Sequence, residues 1–191
     1  MLAVALIATY LAGADVSELV RDPTSIAEVA PWTGFLSTLA VMAWAAAAGA
    51  CVTAGLALRG AGDPNARFML ATAALIGYIA LDDGLLLHEG IGPDYVGIPE
   101  LAMYGLLLGA VAGWLFGFRD EIASTDAGLL IMGMGCLGVS LASDVVGVVP
   151  GPAEDGLKLA GIAGMVAWAF VTSREALLPG IVGQQPADER A

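Results

Sequence analysis

The sequence predicts an all-α protein, a polytopic bundle of membrane-spanning helices, and three observations support this fold class. Of its 191 residues, 58% are hydrophobic and only 14% are charged, whereas about a quarter of the residues in soluble domains are charged. The apolar residues form long runs, and about 20 of them suffice to cross a bilayer as a helix. These runs show no apolar–polar alternation, so helices rather than strands are predicted.

Five apolar runs have the length of a full span, and the first run, residues 1–14, is shorter. This first run is a thin helix, a helix whose start lies upstream of Met1, or a signal peptide cleaved near Ala14; the lack of basic residues before it favours an uncleaved helix. The bundle therefore has six spans, or five if the first run is a cleaved signal. The other spans are predicted at residues 32–58, 68–88, 100–118, 127–149 and 157–173.

The spans form a single membrane domain, residues 1–178, followed by a polar tail, residues 179–191, that is predicted to be disordered. With Met1 inside, five of the seven basic residues fall on the cytoplasmic side, as the positive-inside rule requires. They are Arg59, Arg67, Arg119, Arg174 and Arg190, while Arg21 and Lys158 fall outside. We therefore expect a multi-pass protein of the inner (plasma) membrane with both termini in the cytoplasm.

Composition also limits the partners. The net charge is −12 and no basic patch is present, so nucleic acid is excluded as a partner and membrane lipids are expected instead. Cys51 and Cys136 lie within apolar runs and are interpreted as small buried hydrophobic residues. The spans are rich in glycine and alanine, for example at Gly133 and Gly135, which predicts close helix packing and is compatible with a homo-oligomer.

Ionisable side chains gather at the predicted extracytoplasmic ends of four consecutive spans. Such a group inside a span costs roughly 3 kcal/mol even on lenient scales, so it is a functional candidate. Asp82 is the strongest candidate because its short side chain cannot reach far towards the interface. The predicted metal ligands are Asp82, His88, Glu89 and Asp144, of which the three carboxylates are also the predicted catalytic residues. The predicted supporting residues are Asp83, Glu100, Ser140, Asp155 and Lys158.

The geometry of one helix limits how these side chains meet. Asp82 and Glu89 are two turns apart and share a face, whereas Asp83 and His88 point elsewhere unless the helix kinks, which Gly84 would permit. Simpler roles are also open. Glu100 lies in the first turn of a predicted helix, where the helix dipole would stabilise its carboxylate. Lys158 would form an ion pair with Glu154 or with Asp82, or extend to the membrane interface.

Three functions follow from this cluster. One histidine with several carboxylates suits Zn, Mn or Fe, which would activate water for hydrolysis or modification of a lipid or amphipathic substrate. Buried acids that exchange protons would instead suit a proton- or cation-coupled transporter, although the inner half of the bundle shows no comparable polar groups. In the third hypothesis the chain is a structural subunit whose polar cluster fixes helix packing.

Three pieces of the chain resemble a group of uncharacterised bacterial multi-pass membrane proteins with a DDxxLLHE helix: LDDGLLLHE, SLASDVV and EDGLKLAGI. This resemblance implies no known activity. The chain is also loosely similar to the alkaline ceramidase and progestin/adiponectin-receptor superfamily of membrane hydrolases, which carry a serine, an aspartate and several histidines around zinc. It lacks the paired histidines of their final helix and has Lys158, Trp168 and Thr172 in its last span, so no residue roles are carried over.

Overall fold

A computed structural model describes residues 21–146 and 151–182, with side chains for 21–143 and 151–178. Over these ranges the chain is all-helical, as the sequence predicts. The α-helices are α1 (Pro23–Ile26), α2 (Phe35–Gly60), α3 (Ala66–Leu85), α4 (Glu100–Gly117), α5 (Arg119–Ala123), α6 (Ala127–Val146) and α7 (Gly151–Val182). A π-helix, Leu87–Val96, connects α3 to α4.

Four helices are long and apolar enough to cross a membrane: α2, α3, α4 and the part of α7 that covers Gly151–Leu178. A shorter apolar helix covers Ala127–Ser143 of α6. The prediction of an all-α fold is therefore confirmed over the described residues, and these four helices are compatible with the predicted membrane protein. The total of six spans stays a prediction, because residues 1–14 lie outside the described part of the chain. Large apolar side chains such as Leu101, Phe116 and Ile131 are exposed, as expected of a surface that contacts lipid.

The chain divides into two compact units, Met1–Ser37 and Thr38–Ala191. In the described part of the first unit, α1 is capped by Asp22, whose side chain accepts hydrogen bonds from the backbone N–H groups of Thr24 and Ser25. Together with a bond from the Thr24 hydroxyl, these bonds lower the pKa of the Asp22 carboxyl, because they stabilise its charged form. The cap therefore explains where the short helix begins.

The second unit contains the core. On α2 the buried residues recur every three or four positions, as in Trp44, Ala47 and Cys51, which places them on one face. On α3 the buried face includes Met69 and Ile76. Cys51 and Cys136 are free, Cys51 is fully buried, and the interpretation of Cys51 as a small core residue agrees with this placement.

The closest helix contact joins α6 and α7 through glycines. A Cβ atom on Gly133 would lie 2.7 Å from the backbone nitrogen of Met165, and one on Gly161 would lie 2.8 Å from the backbone nitrogen of Leu137. Only hydrogen atoms fit at these positions. The close approach predicted from Gly133 is confirmed, whereas a Cβ atom on Gly135 would meet nothing within 4 Å.

An aromatic cluster in the second unit lies where α3 begins and α4 ends. Phe68 lies beside Trp114 and Trp168, with ring centroids 6.1 and 6.3 Å away, and the two tryptophan rings are 5.7 Å apart. Each indole N–H has a hydroxyl acceptor: Trp114 Nε1 donates to Thr72 Oγ1 and Trp168 Nε1 donates to Thr125 Oγ1, both at 3.0 Å. Because these polar edges are paired, the layer can be dry and close-packed.

Three predicted boundaries need correction. The third span was predicted to reach residue 88, but α3 ends at Leu85 because Leu86 adopts a left-handed conformation, φ 51° and ψ 47°. The connection between the third and fourth predicted spans is not a simple loop, since most of it belongs to the π-helix Leu87–Val96. The last span was predicted to begin at residue 157, but α7 already begins at Gly151. This helix continues to Val182, four residues into the predicted tail, and residues 183–191 lie outside the described part.

Candidate functional site

A cavity of about 340 Å³ lies among α2, α3, α4, α6, α7 and the π-helix, and we call it the His88 cavity. Along α3 its lining runs from Thr72 to Asp83, a distance of roughly 16 Å at 1.5 Å per residue. Its acidic and basic lining residues come from the last turn of α3, the π-helix and the beginning of α7. Its apolar lining includes Trp44, Trp114 and Trp168. The cavity is therefore amphipathic.

The Asp82–His88 pair forms because the chain breaks between these two residues. The left-handed Leu86 turns the backbone, so that His88 N donates to Asp82 Oδ1 at 3.1 Å and His88 Nδ1 lies 2.8 Å from Asp82 Oδ2. Asp82 is only 6% exposed, and a buried carboxylate needs such partners. The break thus supplies the kink without which one helix could not bring these side chains together.

The other ring nitrogen of His88 also faces a carboxylate. Nε2 lies 3.2 Å from Glu89 Oε1, and the imidazole packs beside the Tyr104 ring with centroids 5.0 Å apart. Imidazole is the side chain best suited to proton exchange near neutral pH. Asp82 therefore orients one ring nitrogen, and Glu89, whose side chain is 57% exposed, lies beside the other.

Asp83 and Lys158 form a second pair. Lys158 Nζ donates to Asp83 Oδ1 at 3.1 Å, so the lysine meets Asp83 rather than Asp82 or Glu154, the partners considered from the sequence. The other oxygen, Asp83 Oδ2, is buried and has no hydrogen-bond partner among the described residues. A buried acceptor without a donor is costly, which makes this atom a candidate contact for a ligand.

The remaining predicted residues fall into three groups. Ser140 lines the cavity, and its hydroxyl donates to the backbone carbonyl of Glu154 at 3.4 Å. Glu100 and Asp155 are exposed and do not line the cavity. Asp144 belongs to α6, but its side chain lies outside the described part, so its predicted role stays a prediction.

Among the described residues, no group of three or more His, Cys, Asp or Glu side chains is arranged to hold a metal ion. Asp82, His88 and Glu89 do meet, yet they do so as hydrogen-bonded pairs on the two ring nitrogens of His88. The predicted site of Zn, Mn or Fe therefore has no complete ligand set here, and a third ligand would have to come from the undescribed Asp144 or from solvent.

A second cavity was missed from the sequence. It encloses about 360 Å³ at the opposite end of the bundle, where α2 ends and α3 begins, and we call it the Thr172 cavity. Its lining includes Asp63, Glu121 and Glu175. In the sequence these acids are interspersed with arginines and resemble ordinary membrane flanks; only the fold places them around one space. Phe68 lines the Thr172 cavity, Trp114 and Trp168 line the His88 cavity, and the aromatic cluster thus separates the two.

The described residues thus define a helical protein with several helices able to cross a membrane and an amphipathic cavity between them. The chain belongs to the family described as a domain of unknown function, DUF8692, which matches residues 1–172. No curated protein and no solved structure matches the chain. The family agrees with the resemblance to an uncharacterised group, and no match connects the chain with the alkaline ceramidase superfamily.

Proposed function

We propose that this chain is an integral membrane enzyme, a hydrolase or modifying enzyme, that binds an amphipathic substrate in the His88 cavity and uses His88 to transfer a proton. One observation carries the proposal: Asp82, His88 and Glu89 meet at the polar part of a cavity whose remaining lining is largely apolar and aromatic. A volume of about 340 Å³ lies within the range of small-molecule sites, about 300–1,000 Å³.

The lining charges define the class of headgroup. Four carboxylates line the cavity, Asp82, Asp83, Glu89 and Glu154, against Lys158 and one histidine. Because negative charge is in excess, an anionic headgroup is disfavoured. Asp83 Oδ2 has no partner among the described residues and needs a hydrogen-bond donor, so the substrate is an amphipathic alcohol or amine, or an amide or ester of one whose headgroup keeps an N–H or O–H donor.

Each residue of the pair has a distinct task. Asp82 holds the ring through Nδ1 and the backbone N–H of His88, which is a positioning role of the kind that orients a general base. Glu89 has a side chain that is 57% exposed, so it can move aside and free Nε2 for the substrate or for water. His88 is then the group that carries the proton.

A divalent metal would give an alternative form of this proposal, in which His88 Nε2 binds the ion instead of carrying the proton, and the spacing of two atoms supports it. His88 Nε2 and Glu89 Oε1 are 3.2 Å apart, a separation that two ligands of one tetrahedral ion at about 2 Å would have. Asp82 on Nδ1 would then act as the outer-shell carboxylate that orients a ligating histidine. Metal content by mass spectrometry of wild type, E89Q and H88Q tests this part separately: stoichiometric metal lost in both variants supports it.

The enzyme proposal is tested by product analysis. Purified protein in nanodiscs is incubated with a mixed lipid extract and with long-chain alcohols, amines and their esters and amides, and the products are identified by mass spectrometry. We expect turnover by wild type that H88Q and D82N abolish. The matched control is E100Q, which removes an exposed carboxylate outside the cavity and should keep full turnover. Turnover by H88Q equal to wild type would contradict the proposal.

Transport is the second candidate, and the pair of cavities favours it. One cavity lies at each end of the bundle, and the aromatic cluster between them could act as a gate. The test is pH-dependent uptake of a radiolabelled long-chain amine into proteoliposomes. Uptake without product formation would replace the enzyme proposal by the transporter, and neither activity with any substrate class would favour a structural role.

We also propose that the His88 cavity opens to the extracytoplasmic side. Arg59, Arg67 and Arg119 lie at helix ends near the Thr172 cavity, and Arg174 precedes the cavity-lining Glu175 on α7. The positive-inside rule assigns this side of the bundle to the cytoplasm. In a C136S background, Y95C should react with a membrane-impermeant maleimide from outside intact cells, since Tyr95 is 83% exposed. N65C at the other end should react only after lysis, and the reverse pattern would overturn this orientation.

A further inference from the structure

The Thr172 cavity is acidic and receives no basic side chain. Asp63 precedes α3, Glu121 belongs to α5 and Glu175 to α7, so three separate elements each contribute one carboxylate to its lining. The arginines of this end, Arg59, Arg67, Arg119 and Arg174, are exposed and none of them lines the cavity. The space therefore attracts a cation.

A buried hydroxyl in the same lining supplies an independent reason to expect a ligand. Thr172 is only 5% exposed, and its Oγ1 has no hydrogen-bond partner among the described residues. A helical threonine usually bonds to the carbonyl one turn earlier, and leaving a buried hydroxyl unpaired costs free energy. Thr172 and Glu175 are three residues apart and share a face of α7. The unpaired hydroxyl is therefore on the acidic side of the cavity.

The arrangement discriminates between kinds of cation. Among the described residues no three acidic, histidine or cysteine side chains are close enough to hold a metal ion, so the carboxylates do not converge on one point. A volume of about 360 Å³ also far exceeds a single ion. Dispersed carboxylates around a larger space suit an organic ammonium group, which offers several N–H donors and an alkyl body that the cavity's alanine, leucine and phenylalanine lining accepts.

We propose that the Thr172 cavity is a binding site for an organic amine, at the opposite end of the bundle from the His88 cavity. The ammonium group is held by the carboxylates of Glu121 and Glu175, with Asp63 adding to the negative field and Thr172 Oγ1 accepting a hydrogen bond. This site does not depend on the enzyme proposal, because it shares no polar side chain with the His88 cavity.

The test is equilibrium dialysis of radiolabelled 1,4-diaminobutane against the full chain in nanodiscs of neutral lipid. We expect saturable 1:1 binding that the E121Q/E175Q variant weakens at least tenfold and T172V weakens about fivefold. Succinate should not compete, and MgCl₂ at equal ionic strength should compete poorly. T172V removes an unpaired hydroxyl, so it should fold as well as wild type, which its thermal unfolding checks.

Two matched controls decide the site. D120N removes the exposed carboxylate next to Glu121, which does not line the cavity, and it should bind as wild type does. D83N alters the other cavity and should also leave binding unchanged. Equal weakening by D120N and E121Q would show unspecific attraction to surface charge, and weakening by D83N alone would place the amine in the His88 cavity. Either result, or no saturable binding by wild type, overturns the proposal.

Discussion

The two cavities contain similar numbers of acids but differ in how those acids are neutralised. In the His88 cavity Asp82 and Asp83 are largely buried and each has a basic partner, His88 or Lys158. In the Thr172 cavity Glu121 is half-buried, Glu175 is exposed, and no basic side chain lines the space. A carboxylate that is removed from water needs a hydrogen-bonding or basic partner, whereas a carboxylate that water reaches does not. The paired side chains of the His88 cavity suit the proposed proton transfer, and the unpaired carboxylates of the Thr172 cavity suit the proposed binding of a cation.

The largest difference between the cavities should appear in stability. D82N removes the charge that holds both the ring and the backbone N–H of His88, so it should lower the free energy of unfolding by about 3 kcal/mol. E121Q changes an acid of the other cavity and should stay within about 0.5 kcal/mol of wild type. SDS-induced unfolding measures both values. An equal loss of unfolding free energy in D82N and E121Q would contradict the difference that we infer between the paired acids of one cavity and the unpaired acids of the other.

A second prediction concerns the contact that positions α7, which lines both cavities. G133A places a methyl group against the backbone of Met165, and overpacking of this kind costs about 2 kcal/mol. The control is G135A, whose Cβ atom meets nothing within 4 Å and which should be neutral or slightly stabilising. If G133A were as stable as G135A in the same unfolding experiment, the close glycine contact would be wrong.

Glycine substitutions at Leu86 and at Leu81 test the helix break that brings His88 to Asp82. Leu86 has a positive φ, a conformation that costs a non-glycine residue about 1 kcal/mol, so L86G should not destabilise the protein. Leu81 is as exposed as Leu86, 52% in each case, but it is α-helical, and L81G should cost about 1 kcal/mol. A larger loss for L86G than for L81G would mean that the helix does not break there.

The smallest effect is expected for the Asp83–Lys158 pair. Asp83 is only 15% exposed, but the lysine side chain is 52% exposed, so water can take the place of its ammonium group beside Asp83. Ion pairs with such an exposed partner contribute below about 1 kcal/mol and weaken in salt. K158M should therefore reduce stability slightly in low salt and hardly at all in 1 M NaCl, while K158R restores the wild-type value. A salt-independent loss would indicate that Lys158 acts through packing instead.

The fold was largely predictable, because long apolar runs in lipid leave the backbone no alternative to helices. The order of the long helices α2, α3, α4, α6 and α7 and the close approach at Gly133 followed from the sequence alone. The break at Leu86 did not, since leucine rarely adopts positive φ and Gly84, two residues earlier, is the residue that the sequence marks for distortion. The π-helix around Pro93 has no local signature either.

The candidate site was predicted only in part. Asp82, His88 and Glu89 were identified because ionisable groups at membrane depth need an explanation, and their hydrogen bonds show that they meet. Lys158 pairs with Asp83 because of how α3 and α7 are oriented about their own axes. The spacing of residues along the sequence does not reveal this orientation. Asp63, Glu121 and Glu175 were overlooked because acids near helix ends are common, and only tertiary structure shows that they share one cavity.

The central claim is that the His88 cavity binds an amphipathic molecule with a hydrogen-bond-donating headgroup. The chain has four tryptophans, and W32F leaves three, all of which line this cavity. In an E121Q/E175Q background, which removes the acids proposed to hold an amine in the Thr172 cavity, a brominated long-chain alkyl amine should quench their fluorescence saturably at 1:1 stoichiometry, and the unbrominated amine should compete. D83N should weaken the amine at least tenfold, and an alkyl sulfate of equal length should bind poorly.

The matched pair G138L and G135L then tests whether the quencher occupies the cavity. Gly138 lines the cavity and Gly135 does not, and a Cβ atom at either position meets nothing within 4 Å. The account predicts that G138L abolishes saturable quenching and that G135L preserves it. Quenching that never saturates, or that is equal in both variants, would show that the amphiphile contacts only the lipid-facing surface and would contradict the account.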